Sequence, residues 1–385
     1  MPGEPAAPTF AFVAGEASGD NLGGPLIEAL RRRYPDARFV GIGGDRMIAA
    51  GLESWFDIEE LSVNGFIDPL KRLPRLFHIL TATRRRVMDA GVDCFIGVDF
   101  NFFNLLLERL LKRRGVRTVH YVSPTVWAWR KGRIRGIAKS VDLMLTLYPF
   151  ETAVYEDNGI EAAFVGHPKA DEISPDTDRK SGARRALGYA ADDVILAVLP
   201  GSRASEVRLS GPDFVQAALR LRAGNPSLQI AIPAANERRA SQIEEICRGV
   251  LPPGAWRVTI GNALEVMAAA DLVLVNSGTA TLEAMLLRRP MVMSYRLGTG
   301  TYAIVSRLVT TPWFALPNIL AQAPLVPELI QDDATPENLA NALSTLLDAG
   351  EDHELLKRFD DIHRELRRDA AERAAEAVLR LAGRD

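Results

Sequence analysis

Apolar and polar positions along the chain fall into two alternating patterns, short apolar runs rich in β-branched residues and longer stretches with apolar residues at helical spacing. In the first half the short runs predict strands at 9–14, 37–42, 93–98, 116–122, 141–147 and 162–165, and the longer stretches predict helices at 22–33, 74–90 and 103–114. In the second half the predicted strands are 193–199, 228–232, 256–260, 271–275 and 290–295. Because strands that alternate with helices form parallel sheets covered on both faces, the sequence predicts an α/β protein.

Two stretches interrupt or end this alternation. Residues 175–185 are polar and predict a linker, and the chain after Pro336 has a helical pattern with Arg- and Glu-rich faces. A chain of 385 residues is also longer than one ordinary hydrophobic core supports. We therefore expect a Rossmann-like domain at 1–174, a second one at 186–350, and a helical tail at 351–385.

Composition indicates a soluble globular protein and limits the classes of partner that it could bind. Hydrophobic residues make up 47% of the chain and charged residues 25%, and the net charge of -3 argues against nucleic-acid binding. Basic residues nevertheless cluster at 84–86, 112–114 and 130–135, which favours an anionic partner such as a phosphate or a membrane surface, or else solvated helix faces. The two cysteines are far apart and the five histidines lack metal-ligand spacing, so neither a metal site nor a cofactor is predicted.

Polar residues follow several predicted strands of the first half. Residues 15–20 combine two carboxylates, a hydroxyl and glycines, and Asp99 ends another strand. Ligands of open α/β sheets bind outside the carboxyl ends of the strands, and a carboxylate there can accept the proton of an attacking sugar hydroxyl. Residues 123–129 add two tryptophans that can stack on a sugar or base. Helix caps and core packing use the same residue types, so both interpretations stay open.

Two strand-to-helix loops of the second half have the composition of phosphate sites. Residues 200–206 place a hydroxyl, backbone amides and Arg203 at a predicted helix start, and residues 276–283 repeat this arrangement with Glu283 one helical turn further on. The loops lack the Walker lysine pattern, which argues against an ATPase. The glycines at 41–44 are followed by Arg46 where a dinucleotide fingerprint has its third glycine, which argues against a dehydrogenase.

Six segments, taken together and in chain order, resemble the lipid-A-disaccharide synthase family. They are Ala14–Asp20, His120–Trp129, Val165–His167, Leu199–Arg203, Ser277–Glu283 and Leu316–Leu320. The resemblance implies a GT-B glycosyltransferase with two Rossmann-like domains, an interdomain cleft, and an inverting transfer without a bound metal or cofactor. It implies UDP-2,3-diacylglucosamine and 2,3-diacylglucosamine 1-phosphate (lipid X) as substrates, and UDP and lipid A disaccharide 1-phosphate as products.

The resemblance also implies roles for individual residues. Asp99 matches the general base of the family. The residues expected to bind the nucleotide sugar are Ser202, Arg203, Glu206, Ser277, Gly278, Thr279, Ala280, Glu283 and Asn318. The residues expected to bind the acceptor sugar are Gly15, Glu16, Ser18, Gly19, Asp20, Ser123 and Trp127.

Two segments depart from the motifs of the family. Where the family reads Asp-x-Pro-Asp-Phe-Asn, this chain reads Asp99-Phe-Asn101-Phe102-Phe-Asn104, so Phe102 replaces the second acid. Asp68 stands where the family has a Glu, with a shorter reach. These differences affect the expected contacts with the acceptor sugar more than the expected reaction.

An apolar and basic segment at 66–86 predicts contact with an anionic membrane, because both implied substrates carry acyl chains. The predicted contact residues are Phe66, Ile67, Leu70, Leu73 and Phe77. Pro69 and Pro74 predict short helical turns instead of one continuous helix. The alternative is that this stripe packs on the sheet. Since no signal-peptide pattern or apolar run of membrane-span length occurs, we expect a cytoplasmic protein that is peripheral at the inner membrane.

Two other functions are compatible with the second-half loops. One is another GT-B transferase or epimerase that uses a UDP-sugar, against which the residues at 123–129 and the apolar segment at 66–86 argue. The other is a sugar-nucleotide-binding protein without catalysis, which has no need of a carboxylate at Asp99. A homodimer is also compatible with the sequence.

Overall fold

Seven strands of the first half pair in parallel, because the segments between them return the chain to the same end of the sheet. In the computed structural model they are β1 (Thr9–Ala14), β2 (Arg38–Ile42), β3 (Leu52–Ser54), β4 (Cys94–Val98), β5 (Arg117–Tyr121), β6 (Leu143–Thr146) and β7 (Glu161–Phe164). Their order is β3-β2-β1-β4-β5-β6-β7. Every residue of β1 and β4, near the centre, is buried, which explains why both sequences are continuous apolar runs.

The structure describes residues 7–61, 69–127, 131–175, 177, 179–298, 302 and 311–384. The chain divides into two compact units, of which the first contains residues 1–171 and 366–385 and the second contains residues 172–365. Each unit contains one of the two parallel sheets.

Helices cover both faces of the first sheet. They are α1 (Ala17–Arg33), α2 (Asp45–Ala49), α3 (Pro69–Asp89), α4 (Asn101–Lys112), α5 (Ile134–Ile137), α6 (Pro149–Glu156) and α7 (Pro168–Glu172), with short 3₁₀ helices at Ile58–Glu60 and Lys131–Arg133. Phe10 and Phe12 of β1 pack with apolar residues of α1 on one face. Ala11 and Val13 point to the other face and pack with α3 and α4. The period-2 alternation of a strand thus divides the core into two layers.

The second unit repeats the architecture with six parallel strands. They are β8 (Ile195–Leu199), β9 (Gln229–Ala234), β10 (Trp256–Ile260), β11 (Leu272–Asn276), β12 (Met291–Tyr295) and β13 (Glu328–Ile330), in the order β10-β9-β8-β11-β12-β13. The helices that follow α7 are α8 (Arg179–Leu187), α9 (Ala204–Gly224), α10 (Glu237–Arg248), α11 (Ala263–Ala269), α12 (Thr279–Leu286), α13 (Leu316–Ala321), α14 (Pro336–Ala349) and α15 (His353–Leu366), with a 3₁₀ helix at Gln331–Asp333.

The predicted strands are all present, and their ends lie within two residues of the predicted ones. The α/β class and its two Rossmann-like parallel sheets are confirmed. The sequence pattern missed β3 and β13, which are three-residue strands at sheet edges. Such short strands offer too few residues for an apolar alternation to be recognised.

The linker predicted at 175–185 is wrong, because helix α8 begins at Arg179 and belongs to the second unit. Arg184 is buried there, and its guanidinium donates to Asp271 Oδ2 at 2.7 Å and to the carbonyl of Ala269 at 3.0 Å. Arg184 in this stretch therefore belongs to an ion pair within the second unit.

The expected division into residues 1–174, 186–350 and a tail at 351–385 differs from the two observed units. The last helix, α16 (Ala370–Ala382), is part of the first unit, where Val378 and Ala374 are buried in the same cluster as α1. Arg33 of α1 donates to Glu376 of α16 at 2.7 Å. The apolar face of α16 therefore completes the core of the first sheet.

The short helical turns predicted from two prolines are also wrong, since α3 is one continuous helix from Pro69 to Asp89. Pro69 is its first residue, where a missing N–H leaves no intrahelical bond unmade. Pro74 removes only the bond to the carbonyl four residues earlier, in the first turns of the helix. The remaining turns are long enough to keep the helix intact.

Candidate functional site

Asp99 leaves the carboxyl end of β4 through an unusual turn. Asp99 and Phe100 both have left-handed backbone conformations, with φ of 52° and 46°. Residues other than glycine rarely adopt this conformation, and each such residue costs about 1–3 kcal/mol unless its surroundings hold it in place. The carboxamide of Asn104 holds it here, because Nδ2 donates to the carbonyl of Asp99 at 2.8 Å and to that of Val13 at 3.1 Å. The half-buried carboxylate of Asp99 is thereby fixed at the sheet edge.

The predicted loop at 15–20 lies beside Asp99. Ser18 Oγ donates to Asp99 Oδ2 at 2.9 Å, and Ser18 is exposed. Glu16 is half-buried at the residue before α1. The structure therefore brings together Ser18 and Asp99, two of the side chains that the sequence assigned to the candidate site.

Two glycines allow this close approach. A Cβ atom on Gly15 would lie 2.4 Å from ring atoms of Phe100, and a Cβ atom on Gly19 would lie 2.9 Å from the carbonyl oxygen of Val98. Larger residues at either position would push α1 away from the turn that carries Asp99. These glycines are therefore spacers between two parts of the site.

Asp20 has a structural role that its motif did not reveal. Its carboxylate is buried and accepts hydrogen bonds from the backbone N–H groups of Gly44 at 2.8 Å, Met47 at 3.0 Å and Arg46 at 3.0 Å. Asp20 thus caps the N-terminus of α2 from a distance. Its oxygens face this helix start and not the carboxylate of Asp99.

A buried polar chain lies behind the Asp99 turn, and the sequence analysis did not identify it. His120 Nδ1 lies 2.7 Å from Glu108 Oε1, and His120 Nε2 lies 3.1 Å from Asn101 Oδ1. His120 and Glu108 are wholly buried. Burial raises the pKa of the Glu108 carboxyl above its usual value, and this effect is larger than the lowering of the pKa by His120. Gly97 leaves room for this pair, because a Cβ atom there would lie 2.2 Å from Glu108 Oε1.

One signal in the sequence could have revealed this chain. Asn104 and Glu108 are four residues apart on the face of α4 that also buries Leu107 and Leu111. Polar residues on the apolar face of an amphipathic helix need partners inside the protein.

Ser123 and Trp127 are anchored to α6. Ser123 is buried, and its hydroxyl lies 2.7 Å from the hydroxyl of Tyr155. Trp127 Nε1 donates to Glu151 Oε1 at 3.2 Å, and the other carboxylate oxygen of Glu151 accepts from the N–H of Tyr148 at 3.1 Å. Burial raises the pKa of Glu151 to about 7. The segment after β5 is therefore held by a buried carboxyl group that the sequence analysis missed.

In the second unit, two loops meet at the carboxyl ends of the adjacent strands β8 and β11. Asn276 Nδ2 donates to the carbonyl of Pro200 at 3.1 Å and so joins them. Gly278 has a φ of 144°, which favours glycine, and α12 begins at the exposed Thr279. The first N–H groups of a helix lack intrahelical partners and attract anions. Glu283 is half-buried one turn into α12.

The loop before α9 differs from the expected phosphate site. The N–H groups of Ser202 and Arg203 donate to Glu206 Oε2 at 3.0 and 3.1 Å, so this carboxylate occupies the amides expected to bind a phosphate. The guanidinium of Arg203 donates to Glu206 Oε1 at 2.9 Å, and 80% of its side chain is exposed. Arg203 thus remains accessible to an anion, whereas the helix start is capped internally.

Asn318 is wholly buried and satisfied within the second unit. Its Nδ2 donates to Glu328 Oε1 at 2.8 Å and to the carbonyl of Val326 at 2.9 Å, and its Oδ1 accepts from the N–H of Val326. Glu328 also accepts from the N–H groups of Phe314 and Ala315. Ser277 Oγ lies 3.3 Å from the carbonyl of Phe314, so this network supports the segment beside α12.

The apolar stripe of α3 divides between two faces. Leu73 and Phe77 are exposed, by 41% and 61%, whereas Ile79 and Leu80 are buried against the sheet. Phe66, Ile67 and Asp68 lie outside the described residues, as does the side chain of Leu70. Phe102, at the start of α4, is 77% exposed. Among the described residues, no helix is both long and apolar enough to span a bilayer, and no cluster of His, Cys, Asp or Glu has the arrangement of a metal site.

Comparison with known proteins assigns the family. The model of the lipid-A-disaccharide synthetase family matches residues 10–378. The lipid-A-disaccharide synthase of Alcanivorax borkumensis is 49% identical over 376 residues, which cover 97% of this chain and 98% of that protein. The enzyme of Xanthomonas campestris is 50% identical over 379 residues, which cover 97% of this chain and 86% of that protein.

The chain belongs to the lipid-A-disaccharide synthetase family. The resemblance noted in the sequence is confirmed, as is the expected enzyme class, a glycosyltransferase of lipid A biosynthesis.

Solved structures that resemble this member of the lipid-A-disaccharide synthetase family support the fold. A UDP-GlcNAc 2-epimerase from Neisseria meningitidis has a TM-score of 0.64 at 13% identity and covers 97% of this chain and 99% of its own. The calicheamicin glycosyltransferase CalG4 has a TM-score of 0.62 at 18% identity and covers 99% of both chains. At these identities the likeness shows the shared GT-B architecture and no particular substrate.

Glu151 makes the stability of the first unit depend on pH. Burial raises its pKa to about 7 in the folded protein, above the 4.5 of an ordinary glutamate side chain. The folded state therefore binds more protons than the unfolded state between these values, so this contribution to stability is present at low pH and is lost as pH rises from about 4.5 to 7. We expect urea denaturation to show a smaller decline in unfolding free energy from pH 5 to pH 7.5 for Glu151→Gln than for the wild type. Equal declines for the two proteins would show that the pKa of Glu151 is not raised in the folded state.

Proposed function

We propose that the protein transfers a diacylglucosamine unit from UDP-2,3-diacylglucosamine to 2,3-diacylglucosamine 1-phosphate (lipid X), giving lipid A disaccharide 1-phosphate and UDP. The family match over residues 10–378 supports this reaction. The structural observation that carries the proposal is the Asp99 carboxylate, held on a left-handed turn at the carboxyl end of a central strand. The test is to supply the purified protein with both acylated sugars and to look for UDP and the disaccharide by mass spectrometry.

In this proposal Asp99 is the general base of a single inverting displacement. Its Oδ2 accepts a hydrogen bond from Ser18, and its Oδ1 has no hydrogen-bond partner in the described part of the protein. Oδ1 is therefore the oxygen that takes the proton of the acceptor hydroxyl while the hydroxyl oxygen attacks the anomeric carbon of the donor. UDP leaves with the bonding electron pair. The acceptor sugar is surrounded by Gly15, Glu16, Ser18 and Gly19. The loops that carry these residues and the segment after β5 are supported by Asp20, Ser123 and Trp127.

In the second unit, the donor nucleotide binds at the start of α12. The N–H groups of Thr279 and Ala280, together with Ser277 and Gly278, receive the diphosphate, and the exposed Arg203 balances its charge. Glu283 accepts hydrogen bonds from the ribose hydroxyls. Glu206, Ser202 and Asn318 hold the adjoining loops in place.

Membrane association completes the proposal, since acylated substrates reside in a bilayer. The exposed Leu73 and Phe77 provide an apolar surface, and Arg85 is exposed on the same helix. Apolar side chains flanked by cations bind the headgroup region of anionic membranes. The protein is then a cytoplasmic enzyme held peripherally at the inner membrane.

The first prediction concerns Asp99→Asn, which keeps the side-chain shape and removes the base. We expect turnover to fall about 10²–10⁴-fold, because general-base catalysis contributes factors of this size. UDP affinity and the circular dichroism spectrum should be unchanged, which separates loss of chemistry from loss of fold. Turnover of the Asn variant within threefold of the wild type would exclude Asp99 as the base.

The second prediction concerns the donor site. Thr279→Pro removes one helix-start N–H, and Arg203→Ala removes the accessible cation; each should weaken UDP binding. A charge-assisted hydrogen bond contributes about 1.5–3 kcal/mol, so the expected loss in calorimetry is about tenfold or more. Arg248→Ala, which removes another exposed arginine of the second unit, is the control. Unchanged UDP affinity in both test variants would place the nucleotide elsewhere.

The third prediction concerns the membrane surface. The double variant Leu73→Ser and Phe77→Ser should bind anionic phosphatidylglycerol vesicles much more weakly in a flotation assay, because each apolar side chain contributes up to about 1.5–3 kcal/mol on full burial. Ile48→Ser is the control, since Ile48 is 48% exposed on α2. High salt should weaken wild-type binding through the cations. If the double variant and the control bind alike, α3 is not the membrane contact.

A further inference from the structure

Asn101 connects the buried core of the first unit to the edge where Asp99 lies. It is the first residue of α4, two residues after Asp99, and it is half-buried. Its Oδ1 faces His120 Nε2 at 3.1 Å, and its Nδ2 has no hydrogen-bond partner among the described residues. The motif of the family has proline at this position, so this amide is a property of this chain. We propose that Asn101 Nδ2 donates a hydrogen bond to the acceptor sugar, and that buried His120 and Glu108 hold its carboxamide in that orientation.

The direction of this amide depends on the protons held by the buried pair. The 2.7 Å contact between His120 Nδ1 and Glu108 Oε1 contains one proton. If the pair holds a second proton, it lies on Nε2 and not on Glu108 Oε2, because Oε2 is buried and faces no acceptor in the described structure. Nε2 then donates to Asn101 Oδ1 and leaves the NH₂ group turned away from His120. If the pair holds only one, Nε2 must accept, and the carboxamide would rotate to present its oxygen to the site.

Burial favours the form with two protons. That form has no net charge, whether it is an imidazolium with a carboxylate or a neutral imidazole with a carboxylic acid. The form with one proton carries a net negative charge among the apolar side chains of Leu107 and Leu111 on the buried face of α4, which is costly. Glu108 Oε2 has no partner in the described structure, so no further donor stabilises a lone carboxylate. The pair therefore keeps Nε2 protonated and Asn101 Nδ2 turned outward.

An outward N–H on the residue two positions after Asp99 is suited to a polyhydroxylated ligand. This step rests on the proposed function, in which an acceptor hydroxyl gives its proton to Asp99. A hydrogen bond donated to the attacking oxygen would reduce its nucleophilicity, so Asn101 contacts a neighbouring hydroxyl oxygen of the acceptor sugar. Asn101 is thus a substrate-binding residue, and His120 and Glu108 are positioning residues that act through it.

The test separates acceptor binding from chemistry and from donor binding. Asn101→Ala should raise the KM for the acylated acceptor about tenfold, as expected for loss of one hydrogen bond of about 1.4 kcal/mol, while kcat and UDP affinity change less than threefold. Asn101→Asp, which has the same shape and no donor, should raise this KM at least as much. Unchanged acceptor KM in both variants would overturn the proposal, whereas a wild-type protein that forms no disaccharide would instead overturn the proposed function.

A double-mutant cycle tests the role of the buried pair. His120→Asn keeps a group near Glu108 and loses the contact to Asn101, so it should raise the acceptor KM as Asn101→Ala does, and the double variant should be no worse than either single one. His120→Gln, which still reaches Asn101, should keep the KM within threefold of the wild type. Additive effects, or equal changes in UDP affinity, would show that His120 is only structural. If the His120 variants do not fold, the two Asn101 variants still decide the proposal.

Discussion

The site in the first unit depends on one buried carboxamide. Asn104 Nδ2 donates to carbonyl groups of Val13, Val98 and Asp99, and so joins the ends of β1 and β4 to the start of α4. Without these bonds, two consecutive left-handed residues would be too costly to retain. The position of the Asp99 carboxylate is therefore set by the packing of a helix on a sheet and not by a flexible loop. This rigidity suits the role proposed for Asp99, because small displacements of a catalytic group have large effects on rate.

The second unit also has buried polar groups that bind other parts of the protein and exposed polar groups that face solvent. Asn276 and Asn318 are buried and satisfied by backbone groups, whereas Arg203 and Thr279 are exposed near them. Buried amides and carboxylates fix the shape of the loops, since each unsatisfied polar atom in the core would be costly. The exposed groups are then available to a ligand. In both units, one short motif contains both kinds of residue: buried residues that shape the candidate site and exposed residues that face solvent.

This mixture of buried and exposed residues explains which parts could be predicted from the sequence. The strands, the α/β class and the loops at their carboxyl ends follow from apolar periodicity, because that signal is local. The partner of each polar residue does not follow, because it lies on another element. Asp20 and Asp99 look alike as acids after strands, yet one caps α2 and the other faces the site. Glu206 was expected to serve a ligand, and it caps its own helix. Buried Arg184 was taken for part of a linker for the same reason.

The return of α16 to the first sheet has a consequence for how the protein is made. The residues that complete the cluster around α1, among them Ala374 and Val378, follow the whole second unit in the chain and leave the ribosome after it. The second unit, residues 172–365, is contiguous in the chain and is fully synthesised before them. While the second unit is being synthesised, the apolar surface of the first unit that α16 later covers is therefore exposed. Surface of this kind invites aggregation in nascent chains, so the rate at which α16 arrives and docks affects how much protein reaches the folded state.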